Sequence, residues 1–206
     1  VLVAREREHV FAPSLIWLMV GLRKAASIRR PLARLARRGI EVVHGEIENI
    51  DLEARSVTVA GQRIVADHII VSLGAELAPE AVPGLVGAGH NFYTLAGAMA
   101  FYDALRTLKS GRIVVLTAAP AYKCPAAPYE VAMLVDDFCR KAGTRANISV
   151  DVYAAEPGPM GVAGPALSAA VKQMLEAKGI PYHPEHQVKS VDPEARRLDF
   201  ANGVTA

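Results

Sequence analysis

Apolar positions recur along this chain in two periods, and the switches between them lay out its elements. Val1-Leu2-Val3 is a continuous apolar run that reads as a buried strand. Ile28, Leu32, Leu35 and Ala36 then recur at helical spacing over Ile28 to Arg38, the pattern stops at Gly39, and Ile40-Glu41-Val42-Val43 follows as a strand. Ser56 to Ala60 and Gln62 to Val65 flank Gly61 as a two-stranded turn, and His68-Ile69-Ile70-Val71-Ser72 predicts a buried parallel strand. Between Glu76 and Gly89, Pro79, Pro83 and three glycines mark a connection. It places a domain boundary near residue 77, with a first domain over 1–77 and a second over 78–206.

The second part alternates. Helices are predicted at Leu95 to Leu108, Tyr129 to Lys141 and Pro165 to Lys178, with strands at Arg112 to Thr117 and Ile148 to Ala154 between them. Strands separated by helices of this length argue for parallel βαβ units. Val131, Leu134, Val135 and Phe138 give one helix a single core face, and Leu167, Ala170, Val171, Met174 and Leu175 do the same for another. Val188 to Asp192 and Arg197 to Phe200 read as paired strands. The fold class that results is α/β: parts of two dinucleotide-binding (Rossmann-like) three-layer folds, parallel sheets with flanking helices. A chain that opens inside a strand without methionine and closes inside a strand series reads as a fragment of a longer polypeptide.

Composition excludes several classes. Hydrophobic residues make up 51% and charged ones 21%, which leaves no room for a disordered tail, collagen or a disulfide miniprotein. A net charge of +2 gives no global field for nucleic acid. Seven basic residues and no acid lie between Arg23 and Gly39, read here as a solvated helix face, with an anionic membrane surface or an acidic electron-acceptor protein as the alternative users. The apolar run Val10 to Leu22, broken by Pro13 and Ser14, falls short of the roughly 20 residues that span a bilayer. His183, Glu185 and His186 sit in a Pro-flanked stretch without a convincing further ligand, so no metal site is assigned.

The chemistry concentrates in Thr117 to Glu130. A nucleotide-binding turn needs glycine there so that backbone N–H groups can approach a pyrophosphate. This loop has no glycine and three prolines, which argues against dinucleotide binding at it. It carries instead Cys124, beside Lys123 and ahead of a helix, a setting that favours a nucleophilic thiolate. A buried small hydrophobe in a turn is the competing reading for Cys124. Glu130, in the first helical turn, suits either helix capping or proton relay. Cys139 follows Phe138 on the core face, and at about 1.5 Å per helical residue it falls roughly 15 to 20 Å from Cys124, against less than about 7 Å for a disulfide.

YKCPAAPYE (residues 122–130) resembles the corresponding loop of flavoprotein sulfide dehydrogenases, the sulfide:quinone oxidoreductases and the flavin subunit of flavocytochrome c sulfide dehydrogenase. Phe11-Ala12-Pro13-Ser14-Leu15-Ile16-Trp17 is similar to the family's F-x-P-S-x-x-W stretch, and Ile69 to Ala75 to its A-T-G strand end. The resemblance implies that Cys124 forms a redox link with a second cysteine nearer the C-terminus and that Glu130 handles protons near the flavin. It implies FAD as cofactor, with contacts from Glu6, from Glu46 and Ile47 through their peptide groups, from Ser72, Leu73, Gly74 and Ala75, and from Pro13 and Ser14 beside the ring. Hydrosulfide would attack the disulfide, electrons would pass to FAD and on to quinone or cytochrome, and sulfur would leave as polysulfide or zero-valent sulfur. Peripheral membrane or periplasmic placement and a homodimer follow from the resemblance alone.

Two readings compete: a type II NADH dehydrogenase or other FAD and NAD(P)H reductase, whose 117–130 loop should be glycine-rich, and a non-catalytic remnant. The family's G-x-G-x-x-G belongs before Val1 and its second redox cysteine after Ala206, so the 206-residue chain is expected to bind FAD weakly or not at all. A flavin absorbance band that survives desalting of FAD-treated protein would contradict this.

Overall fold

Fifteen residues of helix and two seven-residue strands organise the larger part of the computed structural model, which describes all 206 residues. The chain divides into two compact units, Val1–Phe11 with Ala26–Leu77, and Ala12–Ala25 with Ala78–Ala206. No helix is long and apolar enough to cross a membrane.

In the first unit, β1 (Leu2–Ala4) pairs in parallel with β4 (Val42–His44), β2 (Glu8–Val10) pairs antiparallel with β3 (Arg29–Pro31), and β5 (Ile47–Asp51), β6 (Ser56–Val59) and β7 (Gln62–Val65) form an antiparallel sheet. The hairpin at Gly61 forms where the pattern predicts it. Ala60 and Gly61 both have positive φ, 50° and 72°, the backbone a two-residue hairpin turn requires.

Two expectations fail in this unit. Ile28 to Arg38 is not an α-helix: Arg29–Pro31 is β3, and Leu32–Arg38 is a 3-10 helix that begins after Pro31. Proline disfavours helical backbone in the residue before it and offers no N–H, so Arg30 stays extended and the helical spacing starts late and tight. Gly39 does end it, at φ 74°, with its N–H donating to the carbonyls of Ala36 and Leu35. His68 to Ser72 is not a strand, and Ile70 and Val71 are 91% and 55% exposed. A parallel strand exists only with neighbours to hydrogen-bond, and no strand of this chain pairs with that segment.

In the second unit, α1 (Leu15–Leu18) contacts α2 (Leu95–Thr107) and α3 (Ala127–Lys141). The strands β8 (Gly111–Thr117), β9 (Ile148–Ala154) and β10 (Tyr182–His183) form a parallel sheet in the order β10-β9-β8, with α4 (Pro165–Ala177) between β9 and β10 in sequence. Predicted and observed bounds of α2, α3, α4, β8 and β9 agree within two residues. Segment Ala12–Ala25, which the residue-77 boundary puts with the first domain, belongs to this unit.

The core lies where α3 covers β9: Val131, Ala132, Val135 and Cys139 on the helix, and Val150, Val152 and Ala154 on the strand, are all buried. A hairpin of β11 (Val188–Asp192) and β12 (Arg197–Phe200) follows, and Phe200 stacks on Tyr153 at 5.0 Å and 10°. His183 stacks on the same ring at 4.1 Å and His186 meets it edge-on, so both imidazoles serve as aromatic packing around Tyr153.

Asp136 is the one acid of α3 with no exposed surface. It accepts from Arg140 Nε at 2.8 Å and from Arg145 Nε at 2.6 Å. Arg145 also donates to the carbonyls of Ile148 and Gly179, and Arg140 to that of Lys178, so one carboxylate ties α3 to the start of β9 and the end of α4. Burial alone would raise the Asp136 pKa, but the two guanidinium bonds outweigh it and hold the carboxyl below its ordinary value. A depressed folded pKa stabilises the fold above the unfolded value near 3.9, and that stability is lost as pH falls through the folded value. Asp136→Asn is therefore expected to cost about 3 kcal/mol at neutral pH and to flatten the acid limb of the stability curve below about pH 4, as read by urea unfolding across pH.

Candidate functional site

Parallel pairing of β8 with β9, from Gly111↔Ile148 to Thr117↔Ala154, ends both strands side by side. In open α/β sheets the carboxyl ends of the strands face the ligand crevice. The loop after β8 runs to the first turn of α3 and carries Cys124, while the loop after β9 carries Glu156 two residues past Ala154.

Glu156 is a convergence point. Thr117 Oγ1 donates to its Oε2 at 2.7 Å and itself accepts from the Ala155 N–H at 3.1 Å. Tyr122 OH donates to Oε1 at 2.7 Å, and Tyr129 OH donates to the same oxygen. Burial first, and the carboxylate as well, push the phenols of Tyr122 and Tyr129 upward. Burial likewise lifts neighbouring Tyr182 to about 12. All three phenols stay protonated at neutral pH, so the bonds from Tyr122 and Tyr129 run from hydroxyl to carboxylate.

Cys124 lies between those two tyrosines in sequence. It is exposed, in contrast to the buried small hydrophobe that a turn cysteine can be, and it holds φ 54°. Left-handed backbone costs a non-glycine residue roughly 1–2 kcal/mol, and such a conformation persists where surrounding structure over-determines it. Its carbonyl accepts from the Ala127 N–H at 3.0 Å as α3 begins. Tyr93 OH donates to the Lys123 carbonyl beside it, and burial together with the Cys124 charge pushes that phenol up to about 12. Gln187 Nε2 donates to the Ala118 carbonyl at the other end of the loop.

The remaining predicted residues are placed as follows. Glu130 is in the first turn of α3 with an exposed side chain, and no hydrogen bond joins it to Cys124. Cys139 is free and fully buried; burial pushes its thiol up. In the first unit, exposed Glu6 pairs with Arg5, Glu46 precedes β5 and Ile47 begins it, and Ser72, Leu73, Gly74 and Ala75 are exposed without regular structure. In the second unit, Pro13 and Ser14 lie in a 3-10 turn leading into α1. Glu156, Tyr93, Tyr122 and His44 were not singled out by the sequence pattern. Glu156 had a signal, an acid just after the second strand of a βαβ unit.

The signature of the pyridine nucleotide-disulphide oxidoreductases matches residues 1–205. The chain belongs to that family. Sulfide-quinone reductase of Aquifex aeolicus (strain VF5) is 28% identical over 204 residues, covering 95% of this chain and 46% of that protein. The mitochondrial sulfide:quinone oxidoreductase of Schizosaccharomyces pombe is 27% identical over 158 residues, covering 72% of this chain and 34% of that one. The chain thus spans less than half the length of these relatives. The crystal structure of the Aquifex aeolicus sulfide:quinone oxidoreductase superposes with a TM-score of 0.86 at 26% identity, over all of this chain and 49% of that one. A ferredoxin reductase from Rhodopseudomonas palustris, at 20% identity and a TM-score of 0.70, shares the fold. As in this family generally, the architecture is α/β with parallel sheets and flanking helices.

The two thiols differ in a way that alkylation can read. Native protein is expected to take up iodoacetamide at Cys124 alone, with Cys139 modified only after denaturation, as resolved by peptide mass spectrometry. Labelling of Cys139 in the native state would contradict the burial described.

Proposed function

We propose that this chain is part of an FAD-dependent oxidoreductase that oxidises sulfide through Cys124 and passes the electrons by way of the flavin to quinone. The observation that carries the reading is the exposed thiol of Cys124, held in left-handed backbone at the carboxyl end of a parallel sheet. It occupies the turn where a nucleotide-binding fold would present glycines. The sulfide:quinone oxidoreductases among the relatives support sulfide as substrate and quinone as acceptor.

For the cofactor, the first unit offers one direct sign. His44 Nδ1 is buried without a hydrogen-bond partner, at the carboxyl end of the parallel pair β1 and β4. Buried polar atoms are nearly always bonded, and this one lies where an α/β sheet meets its ligand. The residues thus fit a dinucleotide group. Glu6, His44, Ser72 to Ala75 and the peptide groups of Glu46 and Ile47 would hold FAD. FAD supplies a two-electron acceptor. The protein's own part is to present the Cys124 sulfur to hydrosulfide. Glu130, exposed one turn into α3, would exchange protons with solvent, and Tyr93, protonated at neutral pH, would keep a donor at the Lys123 carbonyl beside the sulfur.

An NAD(P)H-dependent reductase would need glycine in the loop after β8, which has none, and Glu156 after β9 is bonded instead by Thr117, Tyr122 and Tyr129. In the complete oxidoreductase of which this chain is proposed to be part, Cys124→Ser is expected to reduce sulfide-dependent flavin bleaching at least about 100-fold, a loss of the size that follows removal of an essential nucleophile. Bleaching at the wild-type rate in the serine variant would reject the assignment.

A further inference from the structure

Glu156 stands where a dinucleotide-binding fold keeps the acid that takes the ribose hydroxyls, just after the second strand of its βαβ unit. Here both carboxylate oxygens are spent within the protein. Oε2 accepts from Thr117, and Oε1 accepts from Tyr122 and from Tyr129. Those two tyrosines bracket Cys124, one before it in the loop and one after it in the first turn of α3, and Tyr129 is 1% exposed. The turn between them is therefore pinned at both ends to one oxygen atom. Such a closed tie is what a cysteine at positive φ needs, because a loop anchored at one end would relax to ordinary backbone.

We propose that Glu156 is the positioning residue of the Cys124 loop: an acid at the place where a dinucleotide-binding fold takes the ribose hydroxyls here anchors the loop that holds the thiol in its strained, exposed place. The proposal rests on the reading of Cys124 as the working thiol, and it adds the residue that fixes that thiol's geometry. One carboxylate then serves two ends at once. It holds the loop, and the protein itself takes three of its roughly four acceptor sites.

A nitroxide attached through Cys124 reads the tie directly, since buried Cys139 does not react in the native protein. Wild type is expected to give a mainly immobilised room-temperature spectrum. Glu156→Ala is expected to raise the mobile component about fivefold, the population change that follows release of one left-handed non-glycine residue. Tyr122→Phe, which removes a single bond, should give an intermediate spectrum. Glu156→Gln should restore the immobilised spectrum, because its amide oxygen still accepts from both phenols. A wild-type line shape in Glu156→Ala would overturn the proposal. So would failure of the glutamine to rescue, or labelling of Cys139 in the alanine variant, which would mean general loosening of the fold. The spectrum needs neither sulfide nor flavin, so failure of the sulfide reading and failure of this inference give separate results.

Discussion

The in-register parallel pairing of β8 with β9 is the constraint on which the candidate site depends. Seven paired residues bring Thr117 and Ala154 to the same level, so the loops that leave the two strands start as neighbours although 37 positions separate these residues. Only that adjacency lets the hydroxyl of Thr117 reach Glu156 and bond the next peptide at Ala155. Tyr122 and Tyr129 then find the same carboxylate, and the turn that carries Cys124 is closed. The sheet in turn relies on α3, whose buried Asp136 is bonded by two arginines that also grip the carbonyls of Ile148, Lys178 and Gly179. Packing, ion pairing and the position of the thiol form one chain of dependence.

The same reasoning explains which parts of the molecule were legible beforehand. The helices of 13 to 15 residues, α2, α3 and α4, have enough turns for their apolar faces to repeat, and β8 and β9 are apolar runs long enough to read as strands. The short strands β2 and β3, three residues each and without a buried residue, carry no period to find. Ile28 to Arg38 has helical spacing, but Pro31 disfavours helical backbone at Arg30 before it, a local effect stronger than the pattern. Ile69 to Val71 has strand composition without a strand to pair with, and composition alone cannot supply hydrogen bonds.

At the site, residue type was visible and geometry was not. Cys124 and Glu130 stand out as chemistry in a loop that should have held glycine. The left-handed backbone of Cys124 and the bond from Tyr93 to Lys123 depend on contacts between distant segments, which no local pattern encodes. Glu156 is the instructive omission, since an acid after the second strand of a βαβ unit is a recognisable place. Its partners Thr117, Tyr122 and Tyr129 tie it to the loop that carries Cys124. His44 is a second such case, with a buried ring nitrogen at a strand end that has no partner within the protein.

What unites these features is a sulfur atom exposed by design, on a loop that the rest of its unit holds in place. If that sulfur works on sulfide, its covalent state must change during the reaction, because hydrosulfide attack on a disulfide breaks the S–S bond, leaves the added sulfur on the cysteine attacked and releases the other as a thiolate. The most direct measurement is peptide-resolved mass spectrometry of protein alkylated while it turns over sulfide. The account predicts that sulfide converts Cys124 from its disulfide-linked form to a peptide that carries extra sulfur or is alkylated as the released thiolate; a Cys124 peptide unchanged by sulfide in protein that is consuming sulfide would contradict it.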